Sequence, residues 1–303
     1  MVDHVGRIFR PPSEARSFLL QVTVGCSHNR CSYCDMYRDK QFKPKPWPTI
    51  EQDLREAARH GARGLRSDKV FLCDGDALIL STKRLLEILA GIRTHLPWVT
   101  RVGTYGDTRS VGNKSVEELR ALREAGLGIV YHGMESGSDE VLARIDKGGT
   151  RAELIATADK LRAADLVHSV IVLLGIGGEA LSERHAHETA SALSRMDPPY
   201  VGALTTTVLP GTPLFEQQAR GEFARLVNLD RGQQRLLIAL RGVERVVRDG
   251  FGDAAGQGAH GGVAEKDFRF RDGKFVAAQI FVGMEFSDGH FAFMLMASLI
   301  CRK

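Results

Sequence analysis

The chain has too few cysteines for a disulfide framework, no apolar run long enough to cross a bilayer, and no block of like charge. Its five cysteines in 303 residues are odd in number and clustered, whereas small secreted scaffolds distribute paired cysteines along the chain. A reducing, cytoplasmic setting is therefore expected. The longest apolar stretch, Phe291 to Cys301, falls short of the ~20 residues a membrane helix needs. Residues 1–10 carry Asp3, Arg7 and Arg10 and lack the apolar centre of a signal peptide. Basic and acidic residues, 41 against 37, are interleaved and leave a net charge of +4. That balance points to neither nucleic acid nor membrane as a partner.

What is present is a hydrophobic content of 43%, enough for the core of one large α/β domain or two modest ones. From Phe18 to Thr207, short apolar and β-branched runs alternate with longer stretches of helical periodicity. Strands are expected at Phe18 to Val24, Lys69 to Cys73, Thr100 to Thr104, Leu127 to Met134, His168 to Leu174 and Val201 to Val208. Between them, Thr49 with Gln52, Ser115 with Glu118 and Thr150 with Glu153 have capping-box spacing. Leu85, Leu86, Ile88, Leu89, Ile92 and Leu96 give the second helix one apolar face, and Gly126 is placed to end the third.

Strand followed by helix, six times at intervals of about 30 to 40 residues, implies parallel pairing through crossover helices. A closed eight-unit barrel takes roughly 250 residues, and this alternation ends near residue 215. The expected fold is α/β, a partial (β/α)6 TIM-like barrel over residues 1–225, with functional residues at the C-terminal ends of the strands. Residues 226–303 are expected to form a C-terminal appendage: a helix from Arg231 to Arg248, a linker from Gly250 to Gly262 in which six of thirteen residues are glycine, and then either a small β segment or a poorly ordered one. The β segment is suggested by Phe268, Phe270, Phe291 and Phe293 alternating around Asp272-Gly273 and Asp288-Gly289. No function attaches to this tail from its sequence.

Three of the five cysteines fall in the run Gly25-Cys26-Ser27-His28-Asn29-Arg30-Cys31-Ser32-Tyr33-Cys34, and four readings compete for them. A structural zinc site needs a second paired half that the sequence does not offer. A thioredoxin-like pair of Cys31 and Cys34 leaves Cys26 unexplained. Three buried structural thiols are an awkward fit to a segment containing Ser, His, Asn and Arg. A [4Fe-4S] cluster serving electron transfer takes four thiolates, so a cluster on three leaves one iron open for another ligand.

The residues around this loop resemble those of radical SAM enzymes, over roughly residues 15 to 225. That resemblance implies that Cys26, Cys31 and Cys34 hold a [4Fe-4S] cluster whose fourth iron is chelated by S-adenosylmethionine. It implies reductive cleavage of that molecule to a 5′-deoxyadenosyl radical, which abstracts hydrogen from a substrate. Tyr33 stands at the aromatic position near the adenine. Asp74-Gly75-Asp76 stands where backbone carbonyls and an acid meet the methionine amino group. Gly133-Met134-Glu135-Ser136-Gly137, through Glu135 and Ser136, matches the segment that reaches the ribose and carboxylate. Gly175-Ile176-Gly177-Gly178-Glu179, beginning at Gly175, and Pro210-Gly211-Thr212-Pro213 match stretches lining the adenine. The literal Gly177-Gly178-Glu179 follows strand five, so by position it is not the methionine-binding motif. The look is closest to the group containing the elongator subunit, tRNA methylthiotransferases and oxygen-independent coproporphyrinogen oxidase. A reductant such as flavodoxin or ferredoxin is the implied partner, and the substrate stays open. One departure from the family is the spacing: four residues, rather than three, separate Cys26 from Cys31. The alternative from another class is a non-catalytic iron-sulfur or zinc protein on the same scaffold.

Other residues carry plainer expectations. Cys73 reads as a buried thiol at a strand end, and His132 and His168 as hydrogen-bonded interior or rim residues. His185 and His187, two apart on a helix, point to different faces and do not share a metal. Arg30, Arg38, Lys40, Lys43 and Lys45 surround the loop with positive charge, either as a solvated face or as a landing site for an anionic substrate or electron donor. Tyr105, Asp107 and Arg109, after strand three, are either substrate contacts or ordinary loop polarity.

Overall fold

The computed structural model describes residues 2–64 and 66–225, together with short strand segments between residues 278 and 299. The chain divides into two compact units, residues 1–133 with 152–168, and residues 134–151 with 169–303. Along the sequence a strand is followed by a helix six times, which is the α/β class and the run of six β/α units expected.

In the first unit β1 (Phe18–Gln21) is followed by two short strands, β2 (Thr23–Val24) and β3 (Lys43–Pro44), and by helix α1 (Trp47–Ala62). Next come β4 (Lys69–Cys73) and α2 (Thr82–His95), then β5 (Arg101–Gly106) with α3 (Thr108–Gly112) and α4 (Val116–Glu124). The unit closes with the first part of β6 (Leu127–Glu135) and most of α6 (Arg151–Ala163). β1 pairs parallel with β4, β4 with β5, and β5 with β6. The strand expected over Phe18 to Val24 is split: after Gln21 pairs with Cys73, Thr23 and Val24 leave the sheet and pair antiparallel with Pro44 and Lys43. That departure lifts the chain off the sheet edge and starts the cysteine loop.

The core of this unit is the apolar side of its sheet against α1, α2 and α4. Leu20, Val70 and Leu72 meet Ile50, Leu54, Leu85, Ile88, Leu119 and Leu122, all at most 2% exposed. Each such residue contributes about 1.5–3 kcal/mol on leaving water. The apolar face read for α2 is buried as its periodicity requires. Ser115 and Glu118 form the capping box at the start of α4, and Gly126 follows that helix at φ 117°. Helix α1 corrects an expectation: it begins at Trp47, not beyond Thr49, with Pro46 at the N-cap and no side-chain cap. The physical reason is Pro48 in the first turn, where a missing N–H costs nothing and the fixed φ favours helix.

In the second unit α5 (Asp139–Arg144) follows β6, and β7 (Val167–Leu174) leads to α7 (Ser182–Met196), β8 (Tyr200–Thr205) and α8 (Pro213–Ala219). β7 and β8 pair parallel from Ser169 opposite Tyr200 to Leu174 opposite Thr205. β9 (Ala278–Ile280), β10 (Met284–Glu285), β11 (Phe291–Ala292) and β12 (Met296–Leu299) come from the tail. β10 and β11 pair antiparallel, and the turn expected at Asp288-Gly289 lies outside the described residues. β12 pairs antiparallel with β8 and with β9. The helix expected over 231–248, the glycine-rich stretch 250–262 and the hairpin at Asp272-Gly273 lie outside the described residues.

Candidate functional site

The three clustered cysteines lie between β2 and β3, on a loop without regular secondary structure, and each is partly exposed. The loop is held by its own polar residues. The Cys34 N–H donates to the Cys31 carbonyl at 3.2 Å. Arg38 donates to the Cys34 carbonyl at 2.7 Å and to the Cys31 carbonyl at 2.6 Å, so one guanidinium fork fixes two of the three cysteine backbones. Between Cys26 and Cys31, Asn29 adopts φ 48°, a left-handed conformation that asparagine tolerates better than most residues. Its side chain donates to the Tyr37 carbonyl at 2.8 Å and to the Lys40 carbonyl at 3.4 Å.

The segment after β4 docks onto this loop. The Gly75 N–H donates to the Gly25 carbonyl at 3.3 Å. A Cβ added at Gly75 would sit 2.7 Å from the Cys26 Cβ and 2.8 Å from a Tyr37 ring carbon, so only glycine lets the backbone come this close to the first cysteine. Asp74 is fully buried, and its Oδ2 accepts from the Gly25 N–H at 2.9 Å, Gln21 Nε2 at 3.0 Å and Lys40 Nζ at 3.0 Å. Asp76, 1% exposed, accepts from Ser27 Oγ at 2.7 Å and from the Asp107 N–H at 3.3 Å. Burial first, and the neighbouring Asp107 charge second, push the Asp76 carboxyl up to about 7.

Asp107 caps α3 in a capping box with Ser110, a D-x-x-S spacing readable in the sequence. Arg109 ties the network together, donating to Asp107 Oδ2 at 2.7 Å and to Ser27 Oγ at 3.4 Å. The structure therefore brings Asp107 and Arg109 beside the cysteine loop.

The basic residues around the loop do not form one surface. Lys40 and Lys45 are buried at 7% and 4% exposure, whereas Arg30, Arg38 and Lys43 are exposed. Cys73 is fully buried, its sulfur 3.6 Å from the Phe71 carbonyl, and burial pushes its thiol well up. It is a core thiol, as expected. His132 and His168 are likewise interior: Thr108 Oγ1, His132 and His168 form a hydrogen-bonded chain at 3.0 and 3.1 Å. Burial, then the neighbouring His132, holds the His168 imidazole well below its usual value.

In the second unit the end of β6 makes a tight turn. The Ser136 N–H donates back to the Met134 carbonyl at 2.7 Å, with Glu135 between them at φ 61°. This is a γ-turn with a non-glycine residue in the sparsely populated half of backbone space, a conformation that collects at functional sites. Glu135 is 6% exposed and pairs with Lys147 at 3.2 Å. Ser136 Oγ lies 2.9 Å from His185 Nδ1, and the Gly137 N–H donates to Thr189 Oγ1 at 2.9 Å. A Cβ at Gly137 would fall 2.5 Å from the Glu188 carbonyl oxygen, so this glycine admits α7. Burial pushes His185 down to about 4, while His187 is exposed on the same helix, the two faces expected. Gly175 is buried at φ 81° and accepts from the Gly178 N–H at 3.0 Å.

A cluster fits the residues of the loop. Three thiol side chains, soft donors suited to iron-sulfur centres, project from a backbone fixed by Arg38, Asn29 and Asp74. Among the described residues, no three His, Cys, Asp or Glu side chains converge where a single metal ion would sit. Cluster ligands each take a different iron and need no such common point. Among the described residues, no helix is long and apolar enough to cross a membrane.

The chain is similar to proteins of known kind. Residues 20–190 match the radical SAM superfamily. Curated relatives are heme chaperones named HemW: one from Mycobacterium tuberculosis is 25% identical over 70% of this chain and 55% of its own length. Another, from Bacillus subtilis, is 20% identical over 65% and 52%. The chain thus spans about half the length of the curated relatives it matches. Coproporphyrinogen III oxidase (HemN) from Escherichia coli, a radical SAM enzyme, shares the fold with a TM-score of 0.55 at 12% identity, over 75% of this chain and 52% of that one. Methylornithine synthase (PylB) does so with a TM-score of 0.54 at 16% identity, over 76% and 63%. The radical SAM methyltransferase TsrM from Kitasatospora setae, solved with cobalamin and a [4Fe-4S] cluster bound, matches with a TM-score of 0.54 at 20% identity, over 68% and 39%. With the family match covering more than half of its length, the chain belongs to the radical SAM superfamily, whose cofactors are a [4Fe-4S] cluster and S-adenosylmethionine.

Proposed function

We propose that this protein is an enzyme that uses Cys26, Cys31 and Cys34 to hold a [4Fe-4S] cluster and binds S-adenosylmethionine at the iron they leave open. The observation that carries the reading is the close docking of Asp74-Gly75-Asp76 on the cysteine loop, where Gly75 alone allows the contact with Cys26. The bound cofactors supply an electron and a hydrogen-abstracting 5′-deoxyadenosyl radical. The chain's own part is orientation. Tyr33 offers an aromatic face beside Cys34, and the carbonyls after β4 with the Asp76 carboxylate receive an ammonium group. Glu135, Ser136 and Gly175 take the ribose, carboxylate and adenine sides. The γ-turn at Glu135 supports this by aiming a buried acid out of regular strand geometry. The electron donor is a small reductant such as flavodoxin or ferredoxin. The substrate is a small molecule or a macromolecule.

The test is anaerobic reconstitution with iron and sulfide, followed by dithionite and S-adenosylmethionine. Formation of 5′-deoxyadenosine supports the reading; a fully loaded cluster with no 5′-deoxyadenosine overturns it. A second reading, a carrier without radical chemistry, is favoured by the relatives named as heme chaperones. Stoichiometric hemin binding by the loaded protein, with no cleavage of S-adenosylmethionine, is the result that selects it.

A further inference from the structure

We infer that the segment from Asp3 to Phe9 is a strap that fixes the start of the cysteine loop through Lys40, making Lys40 and Asp74 positioning residues of the cluster site; this rests on the cluster reading above. The strap has no helix or strand of its own, so its backbone polar groups look to side chains for partners. Buried side chains supply them. Gln21, fully buried, accepts from the Val5 N–H at 2.8 Å and donates to the Val5 carbonyl at 3.2 Å. Asp53 accepts from the Asp3 N–H at 2.7 Å. Two lysine ammonium groups, each on a side chain 4% exposed, donate to strap carbonyls: Lys45 to Asp3 and Lys40 to Arg7. Phe9 packs edge-on against Tyr37 with ring centroids 5.5 Å apart.

Lys40 reaches in two directions. Besides the Arg7 carbonyl it donates to Asp74 Oδ2 at 3.0 Å, and the same oxygen receives the Gly25 N–H at 2.9 Å. A continuous path therefore runs from the strap through Lys40 and Asp74 to the residue before Cys26. A buried ammonium and a buried carboxylate hold each other in place, because either one left alone is an uncompensated charge out of water. Asp74 Oδ2, with three donors on it, is occupied by the protein.

The experiment reads the strap and the cluster separately. In the cluster-free protein, Lys40→Met should raise the hydrogen-exchange rate of the Gly25 amide about tenfold or more, since a charge-assisted bond is lost, and should open the strap to trypsin at Arg7 and Arg10. In the reconstituted protein, Lys40→Met and Phe9→Ala should both release iron to a chelator several-fold faster than wild type. Leu89→Ala, a change in the apolar core at α2, should not. Phe9→Ala leaves both buried charges in place and decides the matter should Lys40→Met fail to fold. Unchanged Gly25 exchange and iron release in Phe9→Ala with its strap cut by trypsin overturns the inference, as does equally fast release from Leu89→Ala. A wild-type protein that takes up no iron refutes the cluster reading, while the exchange measurement still judges the strap.

Discussion

Gly75→Ala isolates the contact on which the site is built. The new methyl carbon would stand 2.7 Å from the Cys26 Cβ, and 2.8 and 3.1 Å from two carbons of the Tyr37 ring. The Cys26 Cβ cannot rotate aside, because it is fixed to the backbone, and that backbone is held by the Gly25 N–H on Asp74 and the Gly25 carbonyl under the Gly75 N–H. The Tyr37 ring is 4% exposed and is itself braced by Phe9. Relief must therefore come from moving the cysteine loop away from β4, and overpacking of this kind costs about 1–3 kcal/mol. At about tenfold in the folding equilibrium for each 1.4 kcal/mol, urea unfolding of the cluster-free protein should shift measurably. Iron bound after reconstitution should fall as well. Gly112→Ala is the control: nothing lies within 4 Å of its added Cβ, and it should leave both quantities unchanged or slightly improve stability. A Gly75→Ala protein with the wild-type urea midpoint and full iron loading would refute the argument that this glycine sets the distance between the two segments.

Other outcomes follow from the same geometry. Single changes of Cys26, Cys31 or Cys34 to alanine should abolish iron binding and S-adenosylmethionine cleavage together, whereas Cys73→Ala should keep both, since its thiol is buried against Phe71; iron analysis by absorbance checks this. Glu135→Gly relieves the turn at φ 61° but leaves Lys147 without its carboxylate, so no net stabilisation is expected, and S-adenosylmethionine binding measured by calorimetry should weaken. His185, lowered by burial from 6.5 to about 4, stays neutral in the folded protein while the unfolded chain takes up a proton. The stability it preserves is thus complete above about pH 6.5 and is lost as pH falls toward 4, by about 3 kcal/mol in all. Urea titrations of wild type and His185→Gln across that window should converge at low pH, and parallel curves would contradict the sign.

The alternation of six strands and helices was legible because burial on a sheet and on a helix face imposes periods that any apolar pattern must follow. Lys69–Cys73 and the face of α2 emerge as read, since nothing long-range competes with the local pattern there. The first strand was misread at its end for the opposite reason. Phe18 to Val24 is uniformly strand-like, and only pairing with Lys43–Pro44, about twenty residues on, turns Thr23 and Val24 out of the sheet. The cysteine trio could be seen in the sequence because three of five cysteines fall within nine residues. Its supports could not. Lys40 and Lys45 read as surface charge, and their burial depends on Asp74 and Asp53, whose carboxylates reach them only after folding. Arg38 likewise looks like any basic residue until its guanidinium is found spanning the Cys31 and Cys34 carbonyls.

The same distinction explains the four-residue spacing between Cys26 and Cys31. Counted along the chain it is an irregularity in the motif. In space the segment between the two cysteines contains one asparagine in a left-handed conformation, whose amide is pinned to the carbonyls of Tyr37 and Lys40. Tyr37 also flanks Gly75, and Lys40 also holds Asp74. The residues that hold Asn29 are therefore those that fix the loop against β4, so the segment between Cys26 and Cys31 and the tight docking form one arrangement. A change at Asn29 that forbids the left-handed turn, such as Asn29→Val, should lengthen the Gly25–Asp74 contact as well as the loop. Faster exchange of the Gly25 amide in that variant is the expected sign, and an unaltered rate would separate the two features.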